Sequence, residues 1–290
     1  MKRPIIAALV VGMFPAAWAV AQPPSLNHVL PAGVPPGKAT DIVLHGGNLA
    51  GPAGLWTSFA SSAELTPGVD KNGTEAGEVC YRLHVPADTP LGVAGVRVWT
   101  GKGVSNVRLL LIDDLPSVVE NGTNKTPDTA QVISPPVAVD GACDGESSDF
   151  YKFTAQAGQR IAIDVFARRL GSPLDPMVRL LASDGRELAF SDDEQSSGAD
   201  CRLAHTFAEA GDYFVEIRDI RYQGGGAHRY RIRLGDFPLP SVPYPLAAVK
   251  GTTAEVQVTG ASVEMPGTVA VSVPAEVPGD RFNVPAGYDS

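Results

Sequence analysis

The chain has 290 residues, 44% hydrophobic and 19% charged, with a formal net charge of −9. That composition excludes a disordered chain, and the acidic balance argues against a nucleic-acid binder, because phosphate contacts need a basic surface. With 31 glycines and 25 prolines, long helices are disfavoured and short strands joined by turns are expected.

In chain order, Lys2 and Arg3 precede an uncharged run to Ala21 whose apolar part is Ile5–Phe14, closed by the small-x-small signal Ala19-Val20-Ala21. This is the layout of a secretory signal peptide over residues 1–21. A retained anchor is the other reading, for which the apolar run is short. Export to the periplasm, the cell surface or the medium is the expectation. Alternating runs then recur at Ile42–His45, Val79–His84, Gly95–Trp99 and Val107–Ile112. They continue at Arg160–Phe166, Met177–Leu181, Tyr213–Arg218 and His228–Leu234, and end with Ala254–Val258 and Thr268–Val273. Period-two alternation with turn residues between the runs predicts an all-β fold of tandem β-sandwiches. The expected pieces are 23–115, 116–236 and 237–290. The last opens on the proline-rich linker Phe237–Pro245 and holds a partial or truncated β domain. No later run is apolar for the roughly 18 residues that a bilayer span needs, so no membrane span is expected in the mature chain.

Pro31, Gly37 and Thr40–Gly46 match Pro245, Gly251 and Ala254–Gly260 at a constant spacing, which marks the first and last pieces as candidate repeats. Motifs of this length also coincide by chance among Gly/Pro-rich β sequences. Of the three cysteines, Cys143 and Cys201 share the middle piece and are the expected pair if a disulfide forms, with Cys80 left over. Three buried thiols acting as small hydrophobes are the alternative.

The middle piece carries Asp149-Phe150-Tyr151-Lys152-Phe153, then Ala157-Gly158-Gln159, Ser172-Pro173-Leu174-Asp175-Pro176, Ser183-Asp184-Gly185, Ser191-Asp192-Asp193 and Ala210–Val215. In this order the motifs resemble the bacterial pre-peptidase C-terminal domain, in versions found in planctomycete-type exported proteins. The first piece resembles, less specifically, an immunoglobulin-like module of the IPT/TIG type. The first resemblance implies a jelly-roll β-sandwich that is an accessory to secreted peptidases and other exported proteins. It also implies a calcium motif of the form Glu-x-Glu-x-Asn-Asp at the domain entrance. Here the matching stretch reads Glu120-Asn121-Gly122-Thr123-Asn124-Lys125: Glu120 and Asn124 fit, Gly122 lacks a carboxylate, and Lys125 puts a cation where an anion is wanted. Asp149, and less surely Asp144, are the candidates to complete the set. Calcium takes six to eight oxygens, so the competing reading is that Asn124, Thr126 and Asp128 form a plain turn.

His228–Leu234 alternates, placing Arg229, Arg231 and Arg233 on one face. A row of guanidinium forks suits an acidic polysaccharide. The structural alternative is a solvated face in which Tyr213–Arg218 and His228–Leu234 form a hairpin through Gly224-Gly225-Gly226 and Glu216 faces Arg231. Trp56, Trp99, Tyr81 and Tyr222 are candidates to stack on sugars or, equally, to pack a sheet; Trp99 shares a strand face with Arg97. No His-Glu-x-x-His or Gly-x-Ser-x-Gly motif is present, and the five histidines lie far apart. The pair Cys201 and His205 alone invites inspection as a nucleophile and base. The expectation is a non-catalytic accessory or adhesion protein whose partner is an extracellular protein or polysaccharide. The alternatives are a fragment of a larger secreted hydrolase and a spacer of a surface protein. No cofactor other than a possible calcium is expected.

Overall fold

The computed structural model describes residues 22–194, 198–241, 243–258, 260–261 and 268–276. The expected leader, residues 1–21, lies outside them. The fold is all-β, as the alternation predicts.

The first sandwich consists of β1 (Ser25–Leu30), β2 (Gly33–Val34), β3 (Ala39–Gly47), β4 (Pro52–Thr57), β5 (Ser62–Leu65), β6 (Glu78–His84), β7 (Gly92–Thr100), β8 (Gly103–Val104) and β9 (Arg108–Ile112). One sheet runs β1-β3-β6-β5 and the other β2-β9-β7-β4, with β8 added to β7. Alternate residues turn inward: Ile42 and Leu44 of β3, Val79, Tyr81 and Leu83 of β6, and Val96 and Val98 of β7 meet in one core. Burying each aliphatic side chain of this kind contributes about 1.5–3 kcal/mol.

The second sandwich consists of β10 (Ser117–Val119), β11 (Gln131–Val132), β12 (Val137–Ala142), β13 (Asp149–Ala155), β14 (Arg160–Phe166), β15 (Pro176–Ala182), β16 (Glu187–Ser191), β17 (Arg202–Thr206), β18 (Gly211–Asp219) and β19 (Arg229–Gly235). Its sheets run β10-β12-β19-β14-β17 and β11-β13-β18-β15-β16. Tyr151, Phe153, Ile163, Val215 and Ile232 fill the space between them.

β18 and β19 therefore lie in opposite sheets, and the hairpin expected between them does not form. The glycine loop is the reason. A Cβ at Gly224 would sit 2.1 Å from backbone atoms of Asp144 and Gly145, so only glycine allows that approach. The Gly225 N–H donates to the Cys143 carbonyl at 2.9 Å. The loop is thus pinned to the β12–β13 connection and crosses from one sheet to the other. Glu216 consequently bonds Arg179 at 3.0 Å and Ser148 at 2.8 Å, and does not face Arg231.

The last segment holds β20 (Leu239–Pro240), β21 (Thr253–Gln257), β22 (Gly260–Ala261) and β23 (Thr268–Ser272), paired β20-β22 and β21-β23. It repeats features of the first sheet of the first sandwich. Gly37 and Gly251 adopt φ of 73° and 76° and donate to the carbonyls of Val85 and Val273 at 2.9 and 3.0 Å. Gly46 and Gly260 each press against a backbone carbonyl, of Ser25 and of Leu239. Cys80, Cys143 and Cys201 are free thiols, so the expected Cys143–Cys201 bond is not made. No helix among the described residues is long and apolar enough to cross a membrane.

Candidate functional site

β19 is the central strand of its sheet, with β12 on one side and β14 on the other. Its register sets Arg231 opposite Asp140 of β12 and Phe166 of β14. The face predicted to be solvated is instead packed on the first sandwich. Arg231 is fully buried and donates to Asp113 Oδ2 at 2.8 Å, Asp140 Oδ1 at 2.9 Å and Ser117 Oγ at 2.8 Å. Asp140 Oδ2 accepts the Ala32 N–H at 3.1 Å, and Arg233 Nε reaches Asp113 Oδ1 at 3.1 Å. Burial alone would lower the Arg231 pKa, and the charges of Asp140 and Asp113 reverse that. Gly33 makes the approach possible, since a Cβ there would sit 2.4 Å from the Arg231 Cζ. Arg231 and Arg233 are therefore joints between the two sandwiches. They do not form an exposed row with Arg229, because the first sandwich covers the part of the face they occupy.

The residues proposed for calcium do gather. Asp149 opens β13 fully buried, and Glu120 follows β10 at the opposite end of the same polar pocket. The Tyr230 hydroxyl lies 2.8 Å from Asp149 Oδ2, 3.3 Å from Glu120 Oε2 and 2.6 Å from the Tyr151 hydroxyl. Glu120 Oε1 accepts the Ala142 N–H at 3.0 Å. The Lys125 ammonium contacts Asp149 and lies 3.1 Å from Asp144. Asn124 is fully buried beside Tyr151, its amide without a hydrogen bond. Burial, then the charge of Asp149, push Glu120 up to about 7. This donor set does not fit calcium. A fixed ammonium already balances Asp149 and Asp144 and repels a second cation, Glu120 resists ionisation, and Gly122 brings no oxygen. Glu120 and Asp149 thus belong to one network through the Tyr230 hydroxyl, which Lys125 closes, with Asn124 buried beside it.

Next to the junction a cleft opens between the sandwiches, with about 530 Å³ of empty space, part of it open to solvent. Arg229, His28 and Arg108 line it, with Phe166 and Leu170 as an apolar wall. Arg229 is half-buried, and its Nε meets no hydrogen-bond partner. His28 stacks on His45 at 4.4 Å. Burial, followed by the charges of Arg229, His45 and Arg108, hold its pKa down to about 4. Of this set the sequence singled out Arg229 alone. Arg108 and His28 come from another domain and carry no local signature.

On the open side of the first sandwich, β4 and β7 set Trp56 opposite Arg97 and Gly54 opposite Trp99. Trp56 and Trp99 are 46% and 38% exposed. The Trp99 ring lies flat on Gly54, where a Cβ would be 2.3 Å from its Cζ2, and the Arg97 guanidinium sits 5.8 Å from the Trp56 centroid. Tyr81 is buried in the core, and the Arg218 guanidinium lies 4.1 Å from the Tyr222 ring. Cys201 is fully buried and its thiol is pushed well up by burial, while His205 packs edge-on against Phe207. That environment disfavours a thiolate nucleophile.

The fold and these sites define a two-layer all-β module with an ionic joint buried between its sandwiches and two partly exposed tryptophans on one sheet face. Residues 147–219 match the family described as the bacterial pre-peptidase C-terminal domain, so the second sandwich carries such a domain. A probable subtilase-type serine protease of Deinococcus radiodurans is 37% identical over 70 residues, which is 24% of this chain and 9% of that protein's length. Among solved structures, the pre-peptidase C-terminal domain of a Bacillus anthracis collagenase is similar at 18% identity and a TM-score of 0.31, over 38% of this chain and 99% of that one. The periplasmic inhibitor of g-type lysozyme from Aeromonas hydrophila is similar at 15% identity and a TM-score of 0.26, over 36% of this chain and 98% of its own.

Proposed function

We propose that this chain is a non-catalytic accessory module of an exported protein and that it holds an extracellular polysaccharide. The observation that carries the reading is the Trp56–Arg97–Trp99 face. Two indoles share one sheet face and are partly open to solvent, with Gly54 beneath Trp99. Exposed flat aromatics suit the C–H faces of sugar rings, and an adjacent guanidinium supplies donors to hydroxyls. The carrying residues are in the first sandwich, whereas the sequence pointed to the pre-peptidase C-terminal-like one.

The match to a probable subtilase-type protease favours a second reading, in which the module serves a secreted hydrolase. An array of polysaccharides and matrix proteins, probed with the full chain and with Trp56→Ala/Trp99→Ala, tests the first. Polysaccharide signals lost in the double variant are expected. Signals on matrix proteins alone, or signals the variant keeps, would overturn it.

A further inference from the structure

We propose that the cleft between the two sandwiches binds the carboxylate of an acidic sugar residue, with Arg229 and Arg108 holding the anion and the Phe166–Leu170 wall taking the ring. This site is separate from the tryptophan face and stands on different residues. The first observation is a guanidinium without a contact partner, on which Glu120 and Asp140 act only at a distance. Arg229 makes no ion pair among the described residues, and its buried Nε has no acceptor. Arg108 uses Nε on the Leu26 carbonyl at 2.8 Å and faces no carboxylate within salt-bridge distance among the described residues. Asp140 is the one acid among the described lining residues, and both of its oxygens are engaged, by Arg231 and by the Ala32 N–H. Elsewhere the same strand pairs its arginines fully, so the unpaired guanidinium marks a place where the acceptor comes from outside the chain.

The second observation is shape. The cleft brings guanidinium groups and apolar side chains together, which suits a carboxylate carried on a sugar ring that lies in its open part. The planar fork of arginine matches a carboxylate better than a point charge does. Phe166, nearly buried and with the Arg169 guanidinium 3.6 Å from its ring centroid, backs the half-buried Leu170 as the apolar wall. Such a wall suits the C–H face of a pyranose. The terminal carboxylate of a peptide would bring amide groups that the same wall leaves unpaired. The third observation is rigidity. The cleft is lined by both sandwiches, which the buried Arg231 joint beside it ties together, so the ligand does not have to bring Arg108 and Arg229 together.

The test is titration calorimetry of the full chain with trimers of galacturonate, glucuronate and mannuronate, with their carboxyl-reduced neutral forms, and with a tripeptide bearing a free C-terminus. At least one uronate is expected to bind, with its neutral form roughly tenfold weaker or more. R229Q and R108Q are each expected to lose roughly tenfold or more while melting within about 2 °C of the wild type. Silence towards all three uronates, equal binding of a neutral trimer, binding unchanged in both variants, or binding of the tripeptide alone would overturn the proposal. Such a failure leaves the array result for the tryptophan face standing.

Discussion

Arg231 and Arg229 lie two residues apart on one face of β19, and their surroundings differ completely. Arg231 is sealed between the sandwiches with three acceptors, while Arg229 sits at the edge of the same contact with its Nε unpaired. The difference lies in what covers the strand, since the residue type is the same. Where the first sandwich supplies Asp113, an arginine becomes a joint; where it supplies Arg108 and His28, the arginine becomes part of an electropositive wall.

The largest effect expected from this contrast is on stability. Arg231→Met strands Asp140 in a buried site, leaves Asp113 to Arg233 alone, and should cost about 3–5 kcal/mol, whereas Arg229→Met should cost about 1 kcal/mol or less. Urea unfolding measures both, and similar losses would break the comparison. Adding Asp140→Asn to Arg231→Met should recover part of the loss by removing the stranded charge.

A second ionic centre sharpens the same point. Lys125→Met leaves the buried Asp149 without its ammonium and should cost about 2–3 kcal/mol by the same measurement. In the wild type, where Lys125 is present, melts in EDTA and in millimolar calcium should differ by less than about 1 °C. A rise of several degrees with calcium would show that the carboxylates at 120 and 149 accept a metal despite the ammonium.

The smallest effect concerns His28. Its folded pKa of about 4 lies below the ordinary 6.5. The neutral form is therefore favoured by folding, and the stability it contributes is full above 6.5 and lost as the pH falls from 6.5 towards 4. Allowing for solvent screening of a partly exposed ring, the loss is about 1 kcal/mol, and His28→Asn should flatten the stability profile in that window. An unchanged profile would remove His28 from the electropositive wall.

The sheets were legible because alternation on runs such as Val79–His84 follows directly from one buried face. The repeat was legible for a similar reason, since Gly37 and Gly251 occupy the same left-handed position. The fate of the arginine row was not. Alternation places Arg229, Arg231 and Arg233 on one face but cannot say that another domain covers it, and Asp113 lies far away in the chain. The β18–β19 hairpin was misread because a glycine-rich loop looks alike whether it turns within a sheet or crosses between sheets. At the calcium-like centre, Lys125 was visible in the sequence as an intruder, while the closing hydroxyl of Tyr230 was not, because it comes from a strand more than a hundred residues on.

The tryptophan face carries the functional reading, and the fluorescence of the protein reports on it directly. Of the three tryptophans, Trp18 belongs to the expected leader, so a chain beginning at Gln22 emits from Trp56 and Trp99 alone. Titration with a polysaccharide that binds on the array should shift that emission saturably and shield it from acrylamide quenching. Binding that leaves both emission and quenching unchanged would contradict the assignment of this face.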